Sequence, residues 1–88
     1  MISLFFIDPM KWSNKHVTQW LEWAMQEFGL DVIDVSKFQL TGAQLMSLSK
    51  EEFLERAPPY TGDILYAHLK LLQARSGKEV GDLGINMN

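Results

Sequence analysis

Apolar residues recur at helical spacing near the start of the chain. The first stripe consists of Val17, Trp20, Leu21, Ala24 and Phe28. These positions follow the i, i+3, i+4, i+7 and i+11 pattern of one helix face. Ser13 has a hydroxyl suited to capping a helix N-terminus, and Gly29 is suited to ending the helix. The pattern predicts a helix over 14–28.

The middle of the chain carries two closely spaced helix starts. Thr41 with Gln44, and Ser49 with Glu52, each form a capping-box pair. Two starts so close together predict short helices, over 42–47 and 50–56. A single turn is predicted over 34–38. A strand over 31–35 is rejected, because the sequence offers no second strand to pair with it.

The last periodic segment begins after a double proline. Pro58 and Pro59 cannot donate backbone hydrogen bonds, so they separate it from the preceding helix. Thr61 is a suitable cap, and a helix is predicted over 62–75. Its apolar face consists of Ile64, Leu65, Leu69 and Leu72. Ser76-Gly77 is expected to end this helix, and the glycine-punctuated segment 77–88 is predicted to be a flexible tail.

These elements predict an all-α fold, a compact bundle of about five helices with a long first and a long last helix. The residues expected in its core are Trp12, Val17, Trp20, Leu21, Phe28, Phe53, Leu69 and Leu72. Trp23 lies on the flank of the first stripe. Both a core position and a half-exposed ring remain open for it.

Composition fits a single packed domain. The chain has 88 residues, of which 47% are hydrophobic, and its net charge is −3. It has no cysteine, which excludes disulfides, thiolate catalysis and cysteine-based zinc sites. Segment 1–7 is apolar, but it is too short to span a bilayer and lacks a basic start. The expectation is therefore a soluble intracellular domain.

The sequence carries no pattern typical of catalysis. It has no glycine-rich phosphate loop, no paired-carboxylate motif and no nucleophile elbow. His16 and His68 have no partner at metal-ligand spacing. His16 is expected at the surface and His68 partly buried. We therefore expect no enzyme activity, no metal and no cofactor.

A family resemblance extends this interpretation. The residues that carry it are Asp8-Pro9, Trp12-Ser13, His16-Val17, Trp20-Leu21, Trp23, Glu27-Phe28, Phe38, Gly42, Leu45, Phe53-Leu54-Glu55, Ala57-Pro58, Gly62-Asp63-Ile64-Leu65 and His68-Leu69. In this register, the stretch from Asp8 to about Arg75 resembles the Pointed (PNT) domain of ETS transcription factors, a branch of the sterile alpha motif (SAM) fold. The predicted organisation is an apolar arm over 1–7, a PNT/SAM domain over 8–76 and a tail over 77–88.

The resemblance implies a protein-interaction module in transcriptional control, without catalytic activity, in a protein of the nucleus, with a cytoplasmic location also open. Its known partners are a MAP kinase, a coactivator domain, or another SAM/PNT domain. An alternative is a stand-alone PNT regulator that caps or blocks SAM polymers of ETS factors. An RNA-binding SAM domain is a more distant alternative, which the scattered basic residues and net negative charge disfavour.

The resemblance also assigns candidate site residues. Kinase or coactivator docking carries over to Leu54, Arg56 and Tyr60, where Arg56 replaces a leucine and weakens the match. In SAM–SAM contacts the end-helix surface carries over to Gly62, Asp63, Ile64 and Leu65. The opposing mid-loop surface carries over to Gln44, Met46 and Ser47, and the polar Gln44 argues against matched burial there.

One intact and one doubtful SAM surface imply a monomer or a limited complex, because a long polymer needs both. Ile64 is expected to point outward at the start of the last helix. Acidic residues such as Glu51 and Glu55 are expected either to be solvated or to steer a basic partner. No membrane role is expected for the N-terminal segment. Leu4, Phe5 and Ile7 are expected to fold back onto the bundle or to form an arm in an assembly.

Overall fold

The computed structural model describes residues 7–85, with side chains described over 7–75. Its four α-helices are α1 (Asn14–Phe28), α2 (Gly42–Met46), α3 (Lys50–Leu54) and α4 (Thr61–Ile85). Two 3₁₀ helices, Pro9–Lys11 and Val35–Phe38, precede α1 and α2 respectively. The described residues contain no strand. The predicted all-α bundle with long first and last helices is confirmed.

Reciprocal side-chain caps begin the first three α-helices. The predicted capping boxes of α2 and α3 are confirmed. In α2 the side chains of Thr41 and Gln44 each accept from the other residue's backbone N–H, and in α3 those of Ser49 and Glu52 do the same. At α1 the Ser13 hydroxyl accepts from the backbone N–H of His16, and His16 Nδ1 accepts from the backbone N–H of Ser13. Each pair satisfies backbone donors that helix ends leave exposed.

The last helix is longer than predicted. We expected it to end near residue 75, at Ser76-Gly77, but α4 continues to Ile85. A glycine inside an established helix costs only about 1 kcal/mol relative to alanine, while each added residue gains a backbone hydrogen bond. The backbone over 77–85 is therefore helical, and residues 86–88 of the predicted tail lie outside the described residues.

The core lies between α1 and α4 and is closed by the shorter elements. Its buried apolar side chains are Trp12, Val17, Trp20, Leu21, Ala24, Ile33, Phe38, Leu45, Phe53, Leu65, Leu69 and Leu72. Every predicted core residue except Phe28 is among them. Phe28 ends α1 and remains 41% exposed. Its ring packs edge-on against Trp23 and His68 at the margin of the core.

A glycine allows the first 3₁₀ helix to lie directly on α2. A Cβ at Gly42 would stand 1.7 Å from the carbonyl oxygen of Pro9, so no larger residue fits without moving the backbone. The N–H of Gly42 also donates to the carbonyl of Trp12, at 2.8 Å. This contact closes the bundle over the Trp12 side chain.

An aromatic contact joins the middle of α1 to the first half of α4. Trp20 is fully buried, and its Nε1 donates to Nδ1 of His68 at 3.0 Å. The half-buried Trp23 ring stacks on His68, with ring centroids 5.4 Å apart. Of the two positions open for Trp23, the half-exposed one is found. His68 is partly buried, as predicted.

The N-terminal arm is described only at its last residue. Ile7 is half-buried against the core, and its carbonyl accepts from Trp12 Nε1 at 3.1 Å. Leu4 and Phe5, which were also expected to fold back, lie outside the described residues. No helix in the described part of the chain is long and apolar enough to cross a membrane.

Candidate protein-interaction surface

The turn between α3 and α4 is short and fixed by backbone hydrogen bonds. The N–H of Ala57 donates to the carbonyl of Leu54 as α3 ends. The N–H of Gly62 then donates to the carbonyl of Pro58, at 3.1 Å. Because the turn closes on its own backbone, α4 begins at Thr61, with only Tyr60 between it and the double proline.

Tyr60 occupies an unfavourable conformation at the tip of this turn. Its φ angle is 69°, and no other non-glycine residue in the described part of the chain has a positive φ. Left-handed backbone costs a bulky residue about 1 kcal/mol or more. The side chain gains little burial in return, because 81% of it is exposed.

Ile64 lies one helical turn beyond Tyr60. The N–H of Ile64 donates to the carbonyl of Tyr60 at 3.1 Å, so the two residues are joined through their backbones at the start of α4. Ile64 is 40% exposed, as expected from its position, whereas Leu65 is fully buried. Of the four candidate end-helix residues, Asp63 and Ile64 are exposed, while Gly62 and Leu65 are buried.

Leu54 supports this surface from beneath. A Cβ on Gly62 would lie 3.1 Å from Cδ2 of Leu54 and 3.5 Å from Cβ of Ala57. The small residue therefore lets α4 pack closely on the end of α3, and Leu54 becomes half-buried. We call the surface formed by Leu54, Tyr60 and Ile64 the α3–α4 surface. It unites residues that the sequence assigned to two separate binding modes.

Arg56 binds the second 3₁₀ helix. Its Nη1 donates to the carbonyl of Lys37, at 2.8 Å, and so ties the α3–α4 turn to the end of the second 3₁₀ helix. Its Nε is buried and makes no hydrogen bond within the described residues. Arg56 thus holds the turn in place, a role that the sequence did not reveal.

The candidate mid-loop residues form a more polar surface. Gln44 is exposed, and its Oε1 accepts from the backbone N–H of Thr41 at 2.9 Å. The Ser47 hydroxyl donates to the carbonyl of Gln44 at 2.7 Å, and Met46 is half-buried against the core. A partner docking here would meet polar groups that already serve α2.

Metal ligation finds no support among the described residues, which contain no group of three histidine, cysteine or acidic side chains able to hold an ion. The His68 imidazole instead packs among aromatic rings. Burial lowers the pKa of His68, and the positive charge of Arg75 lowers it further. Sequence reasoning predicted its partial burial but missed its bond to Trp20, since the two residues lie far apart in the chain.

Residues 2–76 match the sequence profile of the Sterile alpha motif (SAM)/Pointed domain. The chain belongs to the SAM/Pointed family. It is thus an interaction domain of the kind found in ETS transcription regulators.

Curated relatives of this SAM/Pointed domain are ETS factors. Protein c-ets-1-A of Xenopus laevis is 50% identical over 70 residues, covering 80% of this chain and 16% of that protein. Human Protein C-ets-1 is 44% identical over 79 residues, which covers 90% of this chain and 18% of the relative. Transcriptional regulator Erg of Gallus gallus is 45% identical over 67 residues, or 75% of this chain and 14% of Erg. The chain therefore spans less than a fifth of each relative's length.

Proposed function

We propose that this domain recruits a partner protein through the α3–α4 surface, in a nuclear transcriptional regulator. The observation that carries the proposal is Tyr60. It is a large aromatic residue in left-handed backbone, with most of its ring in water. Residues in strained backbone conformations cluster at functional sites, and Tyr60 adds little buried surface to the fold that would explain its strain.

The neighbouring residues suit Tyr60 to binding. Ile64 places a second exposed apolar side chain one turn away, and tyrosine is among the residues enriched in binding hot spots. The turn beneath them is held by Gly62 packed on Leu54 and by Arg56 bonded to Lys37. A surface already fixed in position loses little conformational entropy when a partner binds.

The partner classes proposed are a MAP kinase, a coactivator domain and another SAM/PNT domain. For kinase docking, the replacement of a leucine by Arg56 removes one apolar contact, so binding rests on the three residues of the α3–α4 surface, Leu54, Tyr60 and Ile64. For SAM–SAM contact, Ile64 supplies the apolar centre.

Ile64→Asp tests the proposal. Because Ile64 is 40% exposed, the variant should fold, while binding should fall at least tenfold because a partner would have to desolvate an unpaired carboxylate. Ala74→Asp is the matched control, since Ala74 is exposed on the same helix. Calorimetric titration with each of the three partner classes measures the loss, and a thermal melt checks folding.

Two results would contradict the proposal. If Ile64→Asp and Ala74→Asp bind every partner class as the unchanged domain does, the α3–α4 surface is not the docking site. If the melting temperature of Ile64→Asp collapses, Ile64 belongs functionally to the core.

A second candidate function is to cap SAM polymers. The observation that favours it is a contrast between the two candidate SAM surfaces. Ile64 on the end-helix surface is apolar and exposed, whereas Gln44 on the mid-loop surface is polar and already accepts from the N–H of Thr41. A chain with one apolar SAM surface adds to a polymer end but offers no matching surface for the next subunit. Sedimentation at high concentration should show a monomer or a limited complex, and mixing with a polymeric SAM domain should shorten its polymers. Long open-ended oligomers of this chain would contradict capping.

A further inference from the structure

Two lysines converge on one tyrosine ring. Lys50 begins α3, and its Nζ lies 5.7 Å from the ring centroid of Tyr66 on α4. Lys70, one turn after Tyr66, places its Nζ 5.3 Å from the same centroid. The ring also packs edge-on against the buried Phe53, with centroids 5.3 Å apart. The tyrosine is therefore anchored to the core while both lysines remain exposed.

The two ammonium groups have no carboxylate within 4.0 Å among the described residues. Glu52, two residues after Lys50, is engaged elsewhere, since its carboxylate accepts from the backbone N–H of Ser49. Two like charges beside one ring repel each other in a chain whose net charge is −3. An anionic group close to each ammonium would offset that repulsion.

We propose that Lys50, Tyr66 and Lys70 form a second interaction surface, the Tyr66 surface, which binds a short acidic segment of a partner protein. Carboxylates of the segment would pair with the two ammonium groups. An apolar side chain between those carboxylates would lie on the exposed part of the Tyr66 ring. This combination of an aromatic ring and two nearby cations matches a segment with acidic residues on both sides of an apolar one.

A protein segment fits better than an extended polyanion. Exposed Glu51 follows Lys50 directly, and exposed Asp63 lies one turn before Tyr66 on α4. A nucleic acid backbone or an anionic membrane would bring further negative charge against both carboxylates. A short peptide can place its own charges on the lysines alone.

On α4, the Tyr66 surface and the α3–α4 surface lie on different sides of the helix. Ile64 and Tyr66 are two residues apart on α4, so their side chains point about 200° apart around the helix axis. On α3 the two surfaces adjoin, because Lys50 and Leu54 lie one turn apart. Ile64 is therefore the position that tests the α3–α4 surface independently of the Tyr66 surface.

The first experiment maps binding on the full chain by amide NMR. The probe is a blocked heptapeptide, Gly-Glu-Glu-Leu-Glu-Glu-Gly, and its charge-reversed control carries lysine in place of each glutamate. The acidic peptide should shift the amides of Lys50, Tyr66 and Lys70, and its affinity should fall several-fold when salt rises from about 50 to 200 mM. The basic peptide should not shift them.

The second experiment uses matched charge variants. Lys50→Gln with Lys70→Gln should weaken the acidic peptide by about fivefold per lysine, the upper range for an exposed ion pair. The control, Lys11→Gln with Lys15→Gln, makes the same charge change at two exposed lysines in other helices and should leave affinity nearly unchanged. Ile64→Asp should also leave it unchanged, which separates this proposal from the proposed function.

Three outcomes would overturn the inference. Equal affinity of the two double variants would mean that only net charge matters. Shifts confined to Tyr60 and Ile64 would place the peptide on the α3–α4 surface. Tighter binding of a 12-nucleotide single-stranded DNA at the same lysines would make the surface a nucleic-acid site.

Discussion

The α1–α4 junction and the α3–α4 turn use large apolar residues in opposite ways. The junction is the place where Trp20 of α1 donates its indole N–H to His68 of α4. Trp20 and the adjoining ring of Trp12 are almost wholly buried there. At the turn, Tyr60 and Ile64 keep much of their surface in water. Burial of apolar area stabilises the junction. The turn is held by backbone hydrogen bonds and by the hydrogen bond from Arg56 to the carbonyl of Lys37.

This difference separates stability from recognition. Substitutions at the junction remove packing on which the whole domain depends, so they should mainly lower the free energy of unfolding. Substitutions at exposed positions of the turn should change the binding surface while leaving the core intact. The following predictions test that division, from the largest expected effect to the smallest.

Trp20→Ala should nearly unfold the domain. Removing a fully buried tryptophan costs about 3–5 kcal/mol, a large share of the roughly 5–15 kcal/mol that stabilises a typical domain. Urea unfolding measures the loss, with Lys15→Ala on an exposed part of α1 as the control. A loss below about 1 kcal/mol would show that the junction is not the main source of stability.

Arg56→Met should cost about 1 kcal/mol, the value of a typical hydrogen bond. Methionine keeps most of the side-chain volume but cannot donate to the carbonyl of Lys37. Hydrogen exchange should accelerate at the amides of Gly62 and Ile64 more than in α1. Unchanged exchange at these amides would mean that Arg56 does not hold the turn.

Acidification should weaken the junction through His68. Because burial lowers the pKa of His68 below its ordinary value of 6.5, the unfolded chain binds this proton more readily than the folded chain. The contribution of His68 to stability should be complete above pH 6.5 and should be lost as the pH falls through the folded-state pKa. Protonation at Nδ1 would also remove the acceptor for Trp20 Nε1.

The pH effect is best measured in a His16→Gln background. Glutamine at that position can still complete the capping box of α1, and His68 is then the only histidine left in the chain. Urea unfolding between pH 7.5 and about 5 should show stability falling with pH, and adding His68→Gln should flatten that part of the curve. Equal slopes with and without His68 would contradict the prediction.

Tyr60→Gly should have the smallest effect on stability, within about 1 kcal/mol of zero. Glycine removes the left-handed strain at this position but adds conformational entropy to the unfolded chain. Binding to a partner at the α3–α4 surface should nevertheless fall, because the exposed ring is gone. A strongly destabilised Tyr60→Gly domain would show that the ring supports the fold.

Sequence reasoning predicted the local features of the fold well. Capping residues and apolar spacing act between near neighbours, so they located the starts of α1, α2 and α3. It wrongly placed Phe28 in the core. Helical spacing shows which residues share a face, but not how far along the helix that face remains covered by the rest of the fold. It also ended α4 too early, because Gly77 was given more weight than its modest energetic cost warrants.

The sequence could not predict how distant segments combine. The bond between Trp20 and His68, and that between Arg56 and Lys37, depend on the packing of whole helices. Tyr60 and Ile64 are only four residues apart, and they were assigned to different binding modes because the family resemblance, not the packing, made that assignment.

The contact between Gly42 and Trp12 has a consequence for the order of folding. It closes a loop that contains all of α1 and the second 3₁₀ helix. Closing a flexible loop of that length costs conformational entropy before any contact repays it. A preformed α1 makes about 22 Å of the loop rigid and so reduces the part whose entropy is lost on closure. We therefore expect α1 to form first and the first 3₁₀ helix to dock on α2 afterwards.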